Sequence, residues 1–140
     1  LKALNIPVVY TNTHGQPVMP HGTVDSAFRV PGLLAQKGVK VALAISSSWG
    51  TRSLPFAVGQ ARAYGLDEQA ALASVTTVPA EILGQPSLGK LEQGAVASIV
   101  VSEGDLFEIQ SSRVVRMYID GRPVDLNDRH KQLYQKYSKK

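Results

Sequence analysis

The stretch "VKVALAISSSWGTRSLPF" (residues 39–56) decides how this chain folds. Val39 to Ile45 is a short apolar run, interrupted only by Lys40, and reads as a buried strand. It delivers the chain into Ser46, Ser47, Ser48, Trp49, Gly50 and Arg52, after which a helix starts with Pro55 near its first turn. A strand that empties into a polar loop ahead of a helix is one β/α unit of an α/β protein. The C-terminal end of such a strand is where these folds place their chemistry. This one carries no carboxylate, no His and no Cys.

Working outward, "IPVVYT" (6–11) is a second apolar, β-branched strand pattern. The loop "HGQPVMPHG" (14–22) follows, and then "VDSAFRVPGLLAQKG" (24–38). Phe28, Val30, Leu33 and Leu34 recur at near-helical spacing there, and Gly38 ends the helix. Pro31 has no backbone N–H to donate, which predicts a place in the first turn or at a kink. Downstream, "LPFAVGQARAYG" (54–65) is a helix closed by Gly65. "LDEQAALASVTTVPAEILG" (66–84) holds two short ones: Asp67 marks the start of the first, Thr77 caps the second, and Gly84 ends it.

The texture changes after Gly84. "LGKLEQGAVASIVVSEGD" (88–105) and "RVVRMYIDGRPV" (113–124) are strand patterns broken by Gly-containing turns. In the second, Val115, Met117 and Ile119 form an apolar face, and Val114, Arg116, Tyr118 and Asp120 a mixed one. A last amphipathic helix spans about 127–137, with Leu133, Tyr134 and Tyr137 on one side.

The chain has 140 residues, enough for one ordinary core, and no apolar run long enough to span a bilayer. It has no Cys, so disulfides and thiolate metal sites are excluded, while the compartment stays open between cytoplasm and periplasm. The net charge of +4 is concentrated at Arg129, Lys131, Lys136, Lys139 and Lys140, which reads as a solvated basic helix and tail rather than a nucleic-acid surface. The first residue is Leu1, which predicts a processed or excised segment.

Two strand–helix units cannot close a parallel sheet, and a (β/α)8 barrel takes about 250 residues. The inference is the end of a larger α/β protein. The pieces "RSLPF" (52–56), "AYGL" (63–66), "TVPAEILG" (77–84), "LGKLEQG" (88–94) and "YIDGRPV" (118–124) bring a family into view. In this order they resemble the C-terminal third of the metal-dependent amidohydrolases, nearest to the imidazolonepropionase-like branch. The resemblance runs from about Pro20 to Tyr137.

It implies an α/β fold in three parts. Residues 1–84 would be the last two β/α units of a TIM-like barrel, 85–126 strands of a small β-sandwich, and 127–140 a C-terminal helix and tail. The family hydrolyses cyclic amides or other C–N bonds with one or two divalent metals, such as zinc, held by His residues on earlier strands. An Asp at the end of the eighth strand touches metal and catalytic water. Aligning "RSLPF" puts Ser46 at that Asp position, so this segment has no catalytic carboxylate there and holds no metal of its own. A neutral hydroxyl is a poor metal ligand and no base at neutral pH. In the family's Gly-Lys-Asp-Ala-Asp stretch this chain has Gly94, Ala95, Val96, Ala97 and Ser98.

Each remaining candidate has an ordinary reading beside the functional one. Ser47, Trp49 and Arg52 are the substrate-contacting candidates at the rim. Arg52 is also suited to structural hydrogen bonds at the loop–helix junction. No G-x-S-x-G elbow surrounds the serines, and no phosphate-loop spacing surrounds Gly50. His14 and His21 flank one loop without an acid to complete a metal set, Asp25 being the nearest, and His130 sits among cations. The acids Asp67, Glu68, Glu81, Glu92, Glu103 and Asp105 are scattered.

The expectation is therefore an amidohydrolase segment that is inactive alone. Its partners would be the remainder of a barrel or a second copy pairing at the open strand edges, and a small-molecule substrate in the whole protein, with neither nucleic acid nor membrane. The competing expectations are a ligand-binding scaffold that has lost its acid, and a self-associating structural module.

Overall fold

The structure, a computed structural model, describes residues 1–16 and 22–138. Strand β1 (Val8–Tyr10) and strand β2 (Val41–Leu43) form a two-stranded parallel sheet in the register Val8–Val41, Val9–Ala42, Tyr10–Leu43. Helix α1 (Ser26–Gln36) connects them. After β2 come a 3-10 turn (Gly50–Ser53) and helices α2 (Leu54–Ala63), α3 (Glu68–Ser74) and α4 (Thr77–Ile82). Strands β3 (Ile99–Glu103), β4 (Arg113–Ile119) and β5 (Arg122–Pro123) make an antiparallel sheet, and helix α5 (Arg129–Tyr137) ends the described chain. The element order read from the sequence is the order observed.

The core lies on one face of β2. Val41 and Leu43, two residues apart and so on the same side, pack with Val58 and Ala61 of α2, Leu66, and Ala71 of α3. Tyr10, Leu34 and Leu54 press against this cluster from its margin. Small residues let the helices approach: a Cβ on Gly32 of α1 would lie 2.7 Å from the Gly65 carbonyl, so that position accepts only glycine. Phe28 and Tyr64 pack as a tilted aromatic pair across the same junction, 5.1 Å between ring centroids.

Of the two places expected for Pro31, the first turn is not the one observed: it is sixth in the eleven-residue α1. Its missing N–H leaves the Ala27 carbonyl four residues earlier without a helical donor. The Tyr10 hydroxyl, donating at 2.9 Å, supplies one from the neighbouring strand. The cap of α4 is also shifted: Thr76, not Thr77, precedes the helix, and its hydroxyl donates back to the Leu72 carbonyl at 2.7 Å. Asp67 behaves as read, accepting from the Ala70 N–H at 2.9 Å.

In the antiparallel sheet, Val101 pairs with Arg116 but Ser102 pairs with Val114, so Val115 is an extra residue, a β-bulge. The bulge breaks the alternation that placed Val115, Met117 and Ile119 on one apolar face. Val115 and Met117 are half-buried, while Ile119 is exposed. Asp120 and Gly121, with φ of 50° and 75°, form the tight turn from β4 to β5. The Ser98 hydroxyl accepts the Asp120 N–H at 3.3 Å and so helps hold the turn. Among the described residues, no helix is long and apolar enough to cross a membrane.

Candidate functional site

The C-terminal ends of β1 and β2 lie side by side because the strands are parallel and in register. The Ala44 N–H donates to the Tyr10 carbonyl at 3.0 Å, carrying the pairing one residue past β2. Beyond it, Ser46, Ser47 and Ser48 are exposed. The Ser47 carbonyl accepts both the N–H and the hydroxyl of Thr51, each at 3.1 Å, and its hydroxyl faces the Gly50 N–H at 3.4 Å. Ser47 thus organises the 3-10 turn, and its hydroxyl proton stays free to donate.

Trp49 projects from this turn, 78% exposed, with the Arg52 guanidinium 5.6 Å from its ring centroid. This cation–π contact holds Arg52 against Trp49. The structure therefore gives Arg52 an aromatic partner at the junction, where the sequence suggested structural hydrogen bonds.

Between the strand ends is a cavity of about 210 Å³ lined by Thr11, Asn12, Thr13, His14, Ala44 and Ile45 among others. Thr13 is 2% exposed, and among the described residues its Oγ1 has no hydrogen-bond partner. A buried hydroxyl left in that state costs about 1–3 kcal/mol, which marks this wall as the place where a polar partner belongs. Sequence reading missed Thr13, because nothing in "TNTHG" separates a buried hydroxyl from a loop hydroxyl.

The donors at these strand ends are hydroxyls, one amide and one imidazole. No group of three His, Cys, Asp or Glu side chains comes together among the described residues. His14 faces the cavity, His21 lies outside the described residues, and His130 is on the exposed α5.

A second concavity, about 830 Å³, runs along α2. The segment after β3 docks there: the Phe107 carbonyl sits so close to Gly59 that a Cβ would lie 2.1 Å from it. Asp105 accepts the Phe107 N–H at 2.9 Å and pairs with Arg62. The Phe107 amide first, and then Arg62, hold the Asp105 carboxyl below the usual carboxylate range.

With this geometry established, comparison with known proteins is informative. Residues 61–125 match the Amidohydrolase family. The amidohydrolase tasK of Hapsidospora irregularis is 44% identical over 73 residues, which cover 48% of this chain and 7% of that protein. The crystal structure of an amidohydrolase from Thermotoga maritima MSB8 superposes with a TM-score of 0.70 and 29% identity, over 89% of this chain and 33% of that one. A prolidase solved with N-methylphosphonate-L-proline follows with a TM-score of 0.56 and 28% identity, over 73% of this chain and 27% of that one. The chain thus spans about a third or less of each relative. Residues 61–125 are thus similar to the Amidohydrolase family, in a mixed α/β fold whose solved neighbours include amidohydrolases, which are TIM-barrel enzymes.

Proposed function

We propose that this chain is the C-terminal part of a metal-dependent amidohydrolase of the imidazolonepropionase-like branch, and that alone it does not hydrolyse substrate. In this reading β1 and β2 are the seventh and eighth strands of a barrel, with α1 to α4 packed outside it. The three-stranded sheet belongs to a small sandwich, and α5 is an appendage. The rest of the barrel supplies the His ligands and completes the site. The whole protein cleaves a cyclic amide or another C–N bond.

The observation that carries this reading is the parallel β1–β2 pair, covered by helices on one side and in register at its C-terminal end. The fold neighbour at 29% identity supports it over 89% of the chain. Inactivity of the segment follows from its donors. Ser46, at the position of the family's strand-eight Asp, cannot take a proton from water at neutral pH. Trp49 and Arg52, stacked and exposed, form a rim suited to contact substrate, with Ser47 holding the turn that presents them.

The test is direct. The 140-residue chain, loaded with zinc, is incubated with cyclic amides and with dipeptides, including Xaa-Pro substrates suggested by the prolidase relative. We expect no turnover above a metal-only control. Turnover that a chelator abolishes and zinc restores would refute the proposal.

A further inference from the structure

Helix α5 buries none of its residues among the described part of the chain. Leu133, Tyr134 and Tyr137 are 42%, 74% and 69% exposed. At 100° per residue these three and His130 fall in one stripe, mostly apolar, with Arg129 and Lys136 along one side and Lys131 along the other. No acidic residue occurs from Arg129 to Tyr137. An apolar stripe edged by cations on both sides calls for an apolar trough edged by carboxylates.

The chain presents such a trough. The 830 Å³ groove along α2 has Phe56, Phe107 and Ile109 in its lining, and Ile109 is 63% exposed. Glu68, Asp105 and Glu108 also line it: three carboxylates against the single guanidinium of Arg62, which pairs with Asp105. His14 is the remaining titratable side chain there.

We infer that α5 of one copy docks into the α2 groove of a second copy, giving a reciprocal two-fold dimer. Two Tyr side chains of roughly 150–250 Å² each, a Leu, and the groove walls facing them, counted twice, reach the order of 1,200–2,000 Å² of a specific interface. The contact is isologous, each copy giving a helix and receiving one. The groove shares His14 with the strand-end cavity, but the test reads association and not turnover, so its failure is distinguishable from failure of the barrel reading.

Charge reversal in two variants tests it, and every substituted side chain is exposed. One variant carries Arg129→Glu and Lys136→Glu, and the other Glu68→Lys and Glu108→Lys. By sedimentation, the unmodified chain should be a dimer at high micromolar concentration, weakening with added salt. Each variant alone should dissociate at least tenfold more readily, since its own helix and groove now repel. Mixed together, they should re-form a heterodimer, because reversed helix meets reversed groove and native helix meets native groove. A monomeric unmodified chain, variants that each stay dimeric, or a mixture that stays monomeric would overturn the inference. Association through open strand edges would be indifferent to these charges, so the two modes are distinguishable.

Discussion

The Tyr10 hydroxyl donates, at 2.9 Å, to the Ala27 carbonyl, the group that Pro31 leaves without a helical partner. Strand and helix, 17 residues apart in sequence, thus repair together a defect that either alone would carry. Desolvation by burial also pushes the Tyr10 phenol above its ordinary range, which favours the protonated, donating form.

Removing that donor should therefore cost more than the loss of one ordinary hydrogen bond. We expect Tyr10→Phe to destabilise the chain by about 1–3 kcal/mol, because a part-buried carbonyl loses its partner. Pro31→Ala restores a backbone N–H to Ala27, so the double variant Tyr10→Phe/Pro31→Ala should recover most of that loss. Denaturant midpoints for the four proteins of this cycle measure the coupling. Additive effects would contradict the shared role of the carbonyl.

Gly59 should be intolerant of any side chain. A Cβ there would meet the Phe107 backbone oxygen at 2.1 Å, and backbone cannot swing aside as a flexible side chain can. Gly59→Ala should cost about 1–3 kcal/mol and loosen the 104–112 segment from α2. Its signature is faster amide exchange in that segment with the core of α2 unchanged.

The Asp105 carboxyl, held low by the Phe107 amide and Arg62, gives stability a sign with pH. A folded-state pKa below the unfolded one contributes stability that is present above the usual carboxylate range and disappears as pH falls through the folded value. The pair is partly exposed, so the effect stays within about 1 kcal/mol. Asp105→Asn should lower stability at pH 7 and show a shallower loss between pH 5 and 2, read from thermal midpoints across pH. An unchanged acid limb would remove Asp105 from this role.

Thr13 should respond in the opposite direction to an ordinary buried hydroxyl. Its Oγ1 has no partner among the described residues, so Thr13→Val should be neutral or stabilising in the isolated segment. A loss above about 1 kcal/mol would show that the hydroxyl has a partner in the folded chain after all.

Much of this architecture was readable from local pattern. Apolar runs of β-branched residues gave β1 and β2, Asp67 marked the start of α3, and Gly38, Gly65 and Gly84, all at positive φ, marked helix ends. What escaped reading depended on contacts distant along the chain. Pro31 is tolerated in mid-helix only because Tyr10 lies beside it. The bulge at Val115 follows from pairing with β3, and Gly59 gains its meaning from Phe107. The site was legible only as a rim without acids. Ser46, Ser47 and Trp49 lie exposed there, but the cavity wall at Thr13 had no signature in sequence, and nothing local showed that Arg52 would stack on Trp49.

The central claim is that the β1–β2 sheet is built to be continued by strands from outside this segment. Amide hydrogen exchange on the monomeric chain tests it most directly. The Val8 and Ala44 N–H groups donate across the pair, to Lys40 and Tyr10, at 2.9 and 3.0 Å. By alternation, the N–H groups of Val9, Val41 and Leu43 point to the open edges. The account predicts protection at Val8 and Ala44 and rapid exchange at Val9, Val41 and Leu43. Equal protection at all five amides in a monomer would mean the sheet is already complete, and would contradict the account.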